Sequence, residues 1–283
     1  MSNLNNQEVL ALLKSTTPKE IHQFYKEPYK ISEDDLNFYD ANGYIKLTGI
    51  LSGPALDYTR KIISAAVSIR KEHDKRTLAE KSQYEQSFMQ CGYLCWDYPA
   101  VKDFVFGKRF ANIARELMGG LYKVRLWHDQ ALFKEPHGRK TDIHIDSSYW
   151  PLSNPQNSTT MWLALTKVTK DKGSLYFYPG SHKWNAHEYV DIFKNPHEPA
   201  ALKGKKSVSV ELEPGDATFH SGLTYHGANQ NKTDNMREAM TVIYIRDGSR
   251  FDATDERNAT HTSCKGLEDG EIIRTEYTPT LSD

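Results

Sequence analysis

Residues 121–245 are divided into short runs rich in β-branched and aromatic residues, at 123–127, 130–134, 160–165, 174–178, 207–212, 217–220 and 239–245. Pro179-Gly180-Ser181 and Pro214-Gly215-Asp216 punctuate them with turn-forming residues. Seven such strands can bury their apolar faces only against one another, so the pattern predicts a sandwich or barrel.

The preceding part of the chain has a helical texture. Ser32-Glu33-Asp34-Asp35 ahead of Leu36 resembles a capped helix start, and residues 52–71 place Leu56, Ile62, Ile63, Ala66 and Ile69 on one broad apolar face. Residues 43–47 alternate as a strand does. A further helix is expected over 107–117, stopped by Gly119-Gly120. The polar stretch 73–90 reads as a solvated helix face, and the tail beyond Asp247 as loop or an arm over the core. The 283 residues are therefore expected to form one domain: a mostly helical part over 1–120 packed outside a β core over 121–246, with a tail over 247–283.

Composition narrows the function by exclusion. Lys and Arg number 36 against 37 Asp and Glu, with no basic block to neutralise a run of phosphates, so nucleic acid is not an expected partner. No run of apolar residues is long enough for a membrane span. Cys91, Cys95 and Cys264 are an odd number and too few for a disulfide framework. With the polar opening MSNLNNQEVLALLKS they fit a cytoplasmic protein with reduced thiols. Glycosylation sequons at Asn157, Asn231 and Asn258 carry no weight in that setting.

The chemistry gathers at a few positions. His144 and Asp146 are two apart, and an extended backbone sends alternate side chains to the same face, so one strand can present an imidazole and a carboxylate to one point. A third ligand must then arrive from a distant strand. His226 supplies it, beside a Gly227 expected to let the backbone turn tightly; His220 competes for the role. Two histidines and one carboxylate leave open positions on a metal, as in non-haem Fe(II) oxygenases. Arg237 lies eleven residues past His226 at the start of an apolar strand, where a buried guanidinium needs an anionic partner. Its planar fork matches a carboxylate such as the distal one of 2-oxoglutarate, whereas the ordinary alternative is a salt bridge to Glu238 or another acid. Lys134 reads first as the partner of an acid, second as a helper to the co-substrate. Tyr149 and Trp150 fall in a loop suited to packing on a small-molecule substrate, though core positions suit them as well.

The ordered strings His128-Asp129-Gln130, His144-Ile145-Asp146-Ser147-Ser148-Tyr149-Trp150-Pro151, Trp162-Leu163-Ala164-Leu165, Gly173-Ser174-Leu175, Pro179-Gly180-Ser181-His182, Pro214-Gly215-Asp216, His226-Gly227 and Arg237 together resemble the phytanoyl-CoA dioxygenase family. The resemblance implies a mainly β, double-stranded β-helix (jelly-roll, cupin-like) core, Fe(II), 2-oxoglutarate and O2, with release of succinate and CO2. It puts the iron ligands at His144, Asp146 and His226 and the 2-oxoglutarate arginine at Arg237, and aligns Gln130 and Trp162 with positions lining the co-substrate site. One departure stands out. Relatives often carry Ser or Thr two residues after the distal histidine, and this chain has Ala228.

Hydroxylation of an unactivated C–H bond in a small molecule is the expected reaction, with a natural-product intermediate as the expected substrate. Desaturation, ring formation or epimerisation starts from the same hydrogen abstraction. Asp146 speaks against halogenation, since similar halogenases carry a small residue there. A zinc hydrolase is a competing reading of the same three ligands, and a non-catalytic binding protein on the same scaffold is another. Phytanoyl-CoA itself is disfavoured by the ending Leu281-Ser282-Asp283, which is not a peroxisomal signal, and by the lack of a basic cluster for a CoA phosphate.

Overall fold

The computed structural model describes residues 5–254 and 261–282. Seven α-helices are interspersed with two early strands: α1 (Asn6–Lys14), α2 (Lys19–Phe24), α3 (Glu33–Asn42), β1 (Tyr44–Leu47), α4 (Gly53–Arg70), β2 (Met89–Gly92), α5 (Leu94–Asp97), α6 (Pro99–Val105) and α7 (Lys108–Leu117). Eight strands follow: β3 (Val124–Phe133), β4 (Thr141–His144), β5 (Ser158–Ala164), β6 (Leu175–Phe177), β7 (Val208–Val210), β8 (Ala217–Ser221), β9 (His226–Ala228) and β10 (Ala239–Arg246). Local signals set the helix ends. The Ser32 hydroxyl and Asp35 cap α3 reciprocally, Gly43 closes it in the left-handed region, and Gly119 and Gly120 follow α7 with positive φ.

All strand pairs are antiparallel. One sheet has the order β1-β8-β5-β10-β3-β2 and the other β4-β9-β6-β7. Without the two N-terminal edge strands, the orders 8-5-10-3 and 4-9-6-7 interleave the eight later strands between two facing sheets. This is the jelly roll that the sequence led us to expect.

Alternation assigns each face of the larger sheet. Met161, Leu163, Phe219, Met240, Val242 and Tyr244 join Ile62, Ile63 and Ala66 of α4 in the main apolar cluster under the helices. Trp162, Ala164 and Ala239 point the other way and pack with Leu175, Phe177 and Ala228 of the smaller sheet. Both faces are covered, which is why β5 and β10 read as near-continuous apolar runs.

Two expectations about the elements need correction. The runs at 123–127 and 130–134 are one strand, β3, bent by a bulge: Ile243 pairs with His128 but Tyr244 with Leu126. The segment 73–90 is not a helix face; it holds a 3-10 turn, Leu78–Glu80, and the start of β2. Arg76 clasps Asp74 and Glu85, Lys81 is buried against Glu135 at 2.6 Å, and Tyr84 and Phe88 reach the central cavity. Asn231 is fully buried with its amide bonded to the carbonyls of Lys134, Glu135 and Asn235, so it cannot accept a glycan. Asn258 lies outside the described residues. The tail does pack as an arm, donating Phe251 and Ile273 to an apolar cluster and bonding β3 through Leu126 N to Pro279 O. All three cysteines are free and buried, and no described helix is long and apolar enough to cross a membrane.

The Pro214-Gly215-Asp216 turn locks the helical part to the β core. Gly215 has φ +89°, and a Cβ there would lie 1.9 Å from the Leu51 carbonyl oxygen. Gly215→Ala is expected to cost about 3 kcal/mol through backbone strain and collision. A thermal melt should show it as a drop of several degrees; an unchanged midpoint would contradict the close approach.

Candidate functional site

Between the two sheets lies a cavity of about 280 Å³, into which β4, β5, β8, β9 and β10 all contribute side chains. His144 ends β4, and the extended backbone continues only through Ile145, so Asp146 opens a 3-10 turn, Asp146–Tyr149. The two ligand candidates therefore come from a strand end and the turn after it rather than from one strand. His226 opens β9 directly opposite His144.

The structure brings His144, Asp146 and His226 together, with one ligand atom from each within 4.8 Å of the others. Asp146 Oδ1 is 3.6 Å from both His144 Nε2 and His226 Nε2. The imidazoles are fixed from behind: His144 Nδ1 lies 2.8 Å from Asp142 O and His226 Nδ1 2.9 Å from Thr224 O. A carbonyl only accepts, so each Nδ1 carries the proton and each Nε2 lone pair faces the cavity. Burial, and then the neighbouring His144 and His220, hold the His226 imidazole well below the usual histidine range. Burial opposes ionisation of Asp146, but the facing histidines outweigh it and hold the carboxyl well below its ordinary value. A neutral imidazole at His226 and an ionised carboxylate at Asp146 are protonation states that a divalent metal requires.

His220 occupies a supporting position. Its Nε2 donates to Asp146 Oδ2 at 3.1 Å, and Thr160 Oγ1 donates to the same oxygen at 2.7 Å. Both bonds engage the outer oxygen and leave Oδ1 facing the histidines.

Gly227 is required for a reason other than a turn. It sits within β9, and a Cβ would meet the Tyr176 hydroxyl at 2.5 Å and the Thr141 carbonyl at 2.8 Å.

Arg237 is 1% exposed and makes no ion pair among the described residues. Its terminal nitrogens donate to Gly173 O at 2.9 Å and Leu132 O at 3.0 Å, its Nε is buried without a partner, and its guanidinium lies 4.9 Å from the Trp162 ring centroid. Burial pulls its pKa down to about 9. The ordinary alternative fails, because Glu238 is taken by Arg60 at 2.8 and 3.0 Å. A buried guanidinium that lines a cavity and makes no ion pair among the described residues is suited to an anionic ligand. Lys134, also fully buried, makes no ion pair among the described residues; its Nζ donates to Arg139 O and, at 3.4 Å, to Thr141 Oγ1.

Thr141 is the residue that sequence reasoning missed. It lines the cavity and pairs across the strands with Ala228, the position lacking the expected hydroxyl. With Lys134 donating to its oxygen, the Thr141 O–H remains free to donate. Gln130 and Trp162 also line the cavity, and the Gln130 side-chain carbonyl accepts from Gln90. Tyr149 and Trp150 line it too: the Tyr149 ring is 6.1 Å from that of His144, and its hydroxyl donates to Val190 O.

A jelly roll that encloses two imidazoles and one carboxylate defines the scaffold of a mononuclear, metal-dependent oxygenase. A family model described as Phytanoyl-CoA dioxygenase (PhyH) matches residues 39–239. The chain belongs to that family. It is 28% identical over 234 residues to Dioxygenase lolE1 of Epichloe uncinata, covering 80% of this chain and 87% of that one. It is 23% identical over 251 residues to Probable phytanoyl-CoA dioxygenase of Caenorhabditis elegans, covering 81% and 80%. Among solved structures, the non-haem alpha ketoglutarate dependent carbocyclase SnoK from nogalamycin biosynthesis superposes with a TM-score of 0.75 at 23% identity, covering 90% of this chain and 99% of that one. The epimerase SnoN, solved with Fe3+ and alpha ketoglutarate, gives 0.73 at 21% identity, covering 88% and 98%. The His-Asp-His cluster of this chain fits an iron site.

Proposed function

We propose that this chain is an Fe(II)- and 2-oxoglutarate-dependent dioxygenase that hydroxylates an unactivated C–H bond of a small natural-product intermediate. One observation carries the reading: the His144–Asp146–His226 cluster and the buried Arg237 guanidinium, which makes no ion pair among the described residues, line the same cavity. A zinc hydrolase has no use for a buried arginine without an acid partner beside the metal ligands, and a binding protein has no use for three convergent ligands.

Bound there, iron with 2-oxoglutarate and O2 supplies oxidative decarboxylation to succinate and CO2 and the hydrogen abstraction that precedes hydroxylation. The protein supplies position. His144 and His226 present Nε2 while their Nδ1 protons are spent on carbonyls, and Thr160 and His220 orient Asp146. Arg237 would grip the distal carboxylate of 2-oxoglutarate, with Trp162 beneath its guanidinium and Thr141 supplying the hydroxyl that position 228 lacks. Gln130 would line that co-substrate end; Tyr149 and Trp150 would pack on the substrate. Ring formation and epimerisation are the second reading: SnoK is a carbocyclase and SnoN an epimerase, and both outcomes can start from the same hydrogen abstraction.

The Thr141 assignment has its own test. Thr141→Ala should raise the KM for 2-oxoglutarate about tenfold, the low end of the worth of a hydrogen bond to a charged group, and adding Ala228→Ser should restore part of it. An unchanged KM in Thr141→Ala would assign the missing hydroxyl elsewhere. The overall reading is tested by succinate release that depends on an added substrate and by a product heavier by one oxygen.

A further inference from the structure

The cavity holds a second polar group that neither the iron ligands nor the Arg237 site uses. His128 of β3 lines it, is nine-tenths buried, and has an Nδ1 with no hydrogen-bond partner. The β3 bulge explains its placement. Leu126 belongs to the cluster under the helices, but the next residue, Trp127, packs with Trp150, Ile243 and Ile245 on the inner side. Two consecutive aromatic side chains thus occupy the inner side, and the arm from the tail completes the arrangement: the His261 ring stacks on Trp127 at 4.5 Å and 16° and lies 5.7 Å from the His128 ring.

Both imidazoles are neutral at physiological pH. Burial pushes His128 down to about 4 and His261 to about 3. His261 Nδ1 accepts from Ser263 N at 3.3 Å, so its ring proton sits on Nε2. A neutral pair of this kind can accept one hydrogen bond and donate another. Among the described residues that line the cavity, the side chains carrying charge are Asp146 and Arg237, and the proposed co-substrate and metal engage both. A charged substrate would be buried with no counter-charge. Aromatic side chains form much of the remaining wall: Tyr84, Tyr149, Trp150 and Phe193, with Phe193 tilted against Tyr84 at 4.3 Å and edge-on to Tyr149 at 5.6 Å.

Resting on the oxygenase reading, we propose that His128 and His261 are the recognition pair for the primary substrate, an uncharged, ring-bearing molecule that presents a hydroxyl group to them. The aromatic walls hold the ring, and the hydroxyl hydrogen-bonds to the His128 and His261 imidazole edges that line the cavity, so an analogue lacking it forgoes that bond.

The test uses full-length protein loaded anaerobically with Fe(II) and 2-oxoglutarate, and three probes of one shape: 2-naphthol, naphthalene and 2-naphthoate. Equilibrium dialysis should show 2-naphthol bound about fivefold more tightly than naphthalene, the discrimination of one hydrogen bond, and 2-naphthoate bound more weakly than 2-naphthol. His128→Leu and His261→Leu should each erase the preference for 2-naphthol while keeping the visible Fe(II)·2-oxoglutarate band, which shows that fold and metal site are intact. Equal binding of 2-naphthol and naphthalene by the wild type, a preference surviving in both variants, or 2-naphthoate bound most tightly would overturn the recognition pair. Absence of the band in the wild type overturns the oxygenase reading instead, and dialysis in metal-free protein still reads the preference.

Discussion

Arg237→Ala is expected to raise the half-saturating concentration of 2-oxoglutarate about 100-fold while leaving Fe(II) affinity nearly unchanged, since truncating one partner of a buried charge pair costs about 3 kcal/mol. The size follows from the surroundings of the guanidinium. It is sealed from water, two of its donors are spent on backbone carbonyls, and its Nε has no partner. Arg237→Lys keeps a charge but loses the planar fork and the stack on Trp162, so it should fall between wild type and alanine. Titrating 2-oxoglutarate into each Fe(II)-loaded variant measures the effect. An alanine variant that binds 2-oxoglutarate like the wild type would leave this arginine without its assigned partner.

The second large effect separates two histidines that sequence alone leaves in competition. His226→Ala removes an Nε2 aimed at the cluster and is expected to lower Fe(II) affinity by more than about 100-fold, whereas His220→Asn removes only a bond to the outer oxygen of Asp146 and should cost about tenfold. Dialysis against Fe(II) under anaerobic conditions orders the two. The reverse order would make His220 the ligand and His226 its support.

These assignments show how far alternation along a strand carries, and where it stops. It places Trp162 inside and Met161 and Leu163 under the helices, and the capping pair Ser32 and Asp35 marks the start of α3. The His144–Asp146 spacing was legible although the strand stops between them, because Ile145 keeps extended dihedrals. Thr141 was not legible. In a regular strand it would face away from His144, but β4 spends three residues where β9 spends two, Thr141 opposite Ala228 and His144 opposite His226, so both reach the cavity. The bulge in β3 hides Trp127 and His128 in the same way. A bulge leaves no period in the sequence. The segment 73–90 failed for a different reason: its apolar anchors, Tyr84 and Phe88, are spaced four apart as in a helix, yet the Arg76 clasp and the buried Lys81–Glu135 pair fold it into turns. His261 sits over a hundred residues from its ring partners Trp127 and His128, so only the tertiary path of the tail brings them together.

The proposed function requires one cavity to hold both an iron site and a 2-oxoglutarate site. Anaerobic titration of 2-oxoglutarate into protein loaded with Fe(II) tests it most directly. The expected result is a weak visible charge-transfer band that saturates at one equivalent, disappears in His226→Ala, and needs far more 2-oxoglutarate in Arg237→Ala. A wild-type protein that binds Fe(II) but develops no band at any 2-oxoglutarate concentration would contradict it.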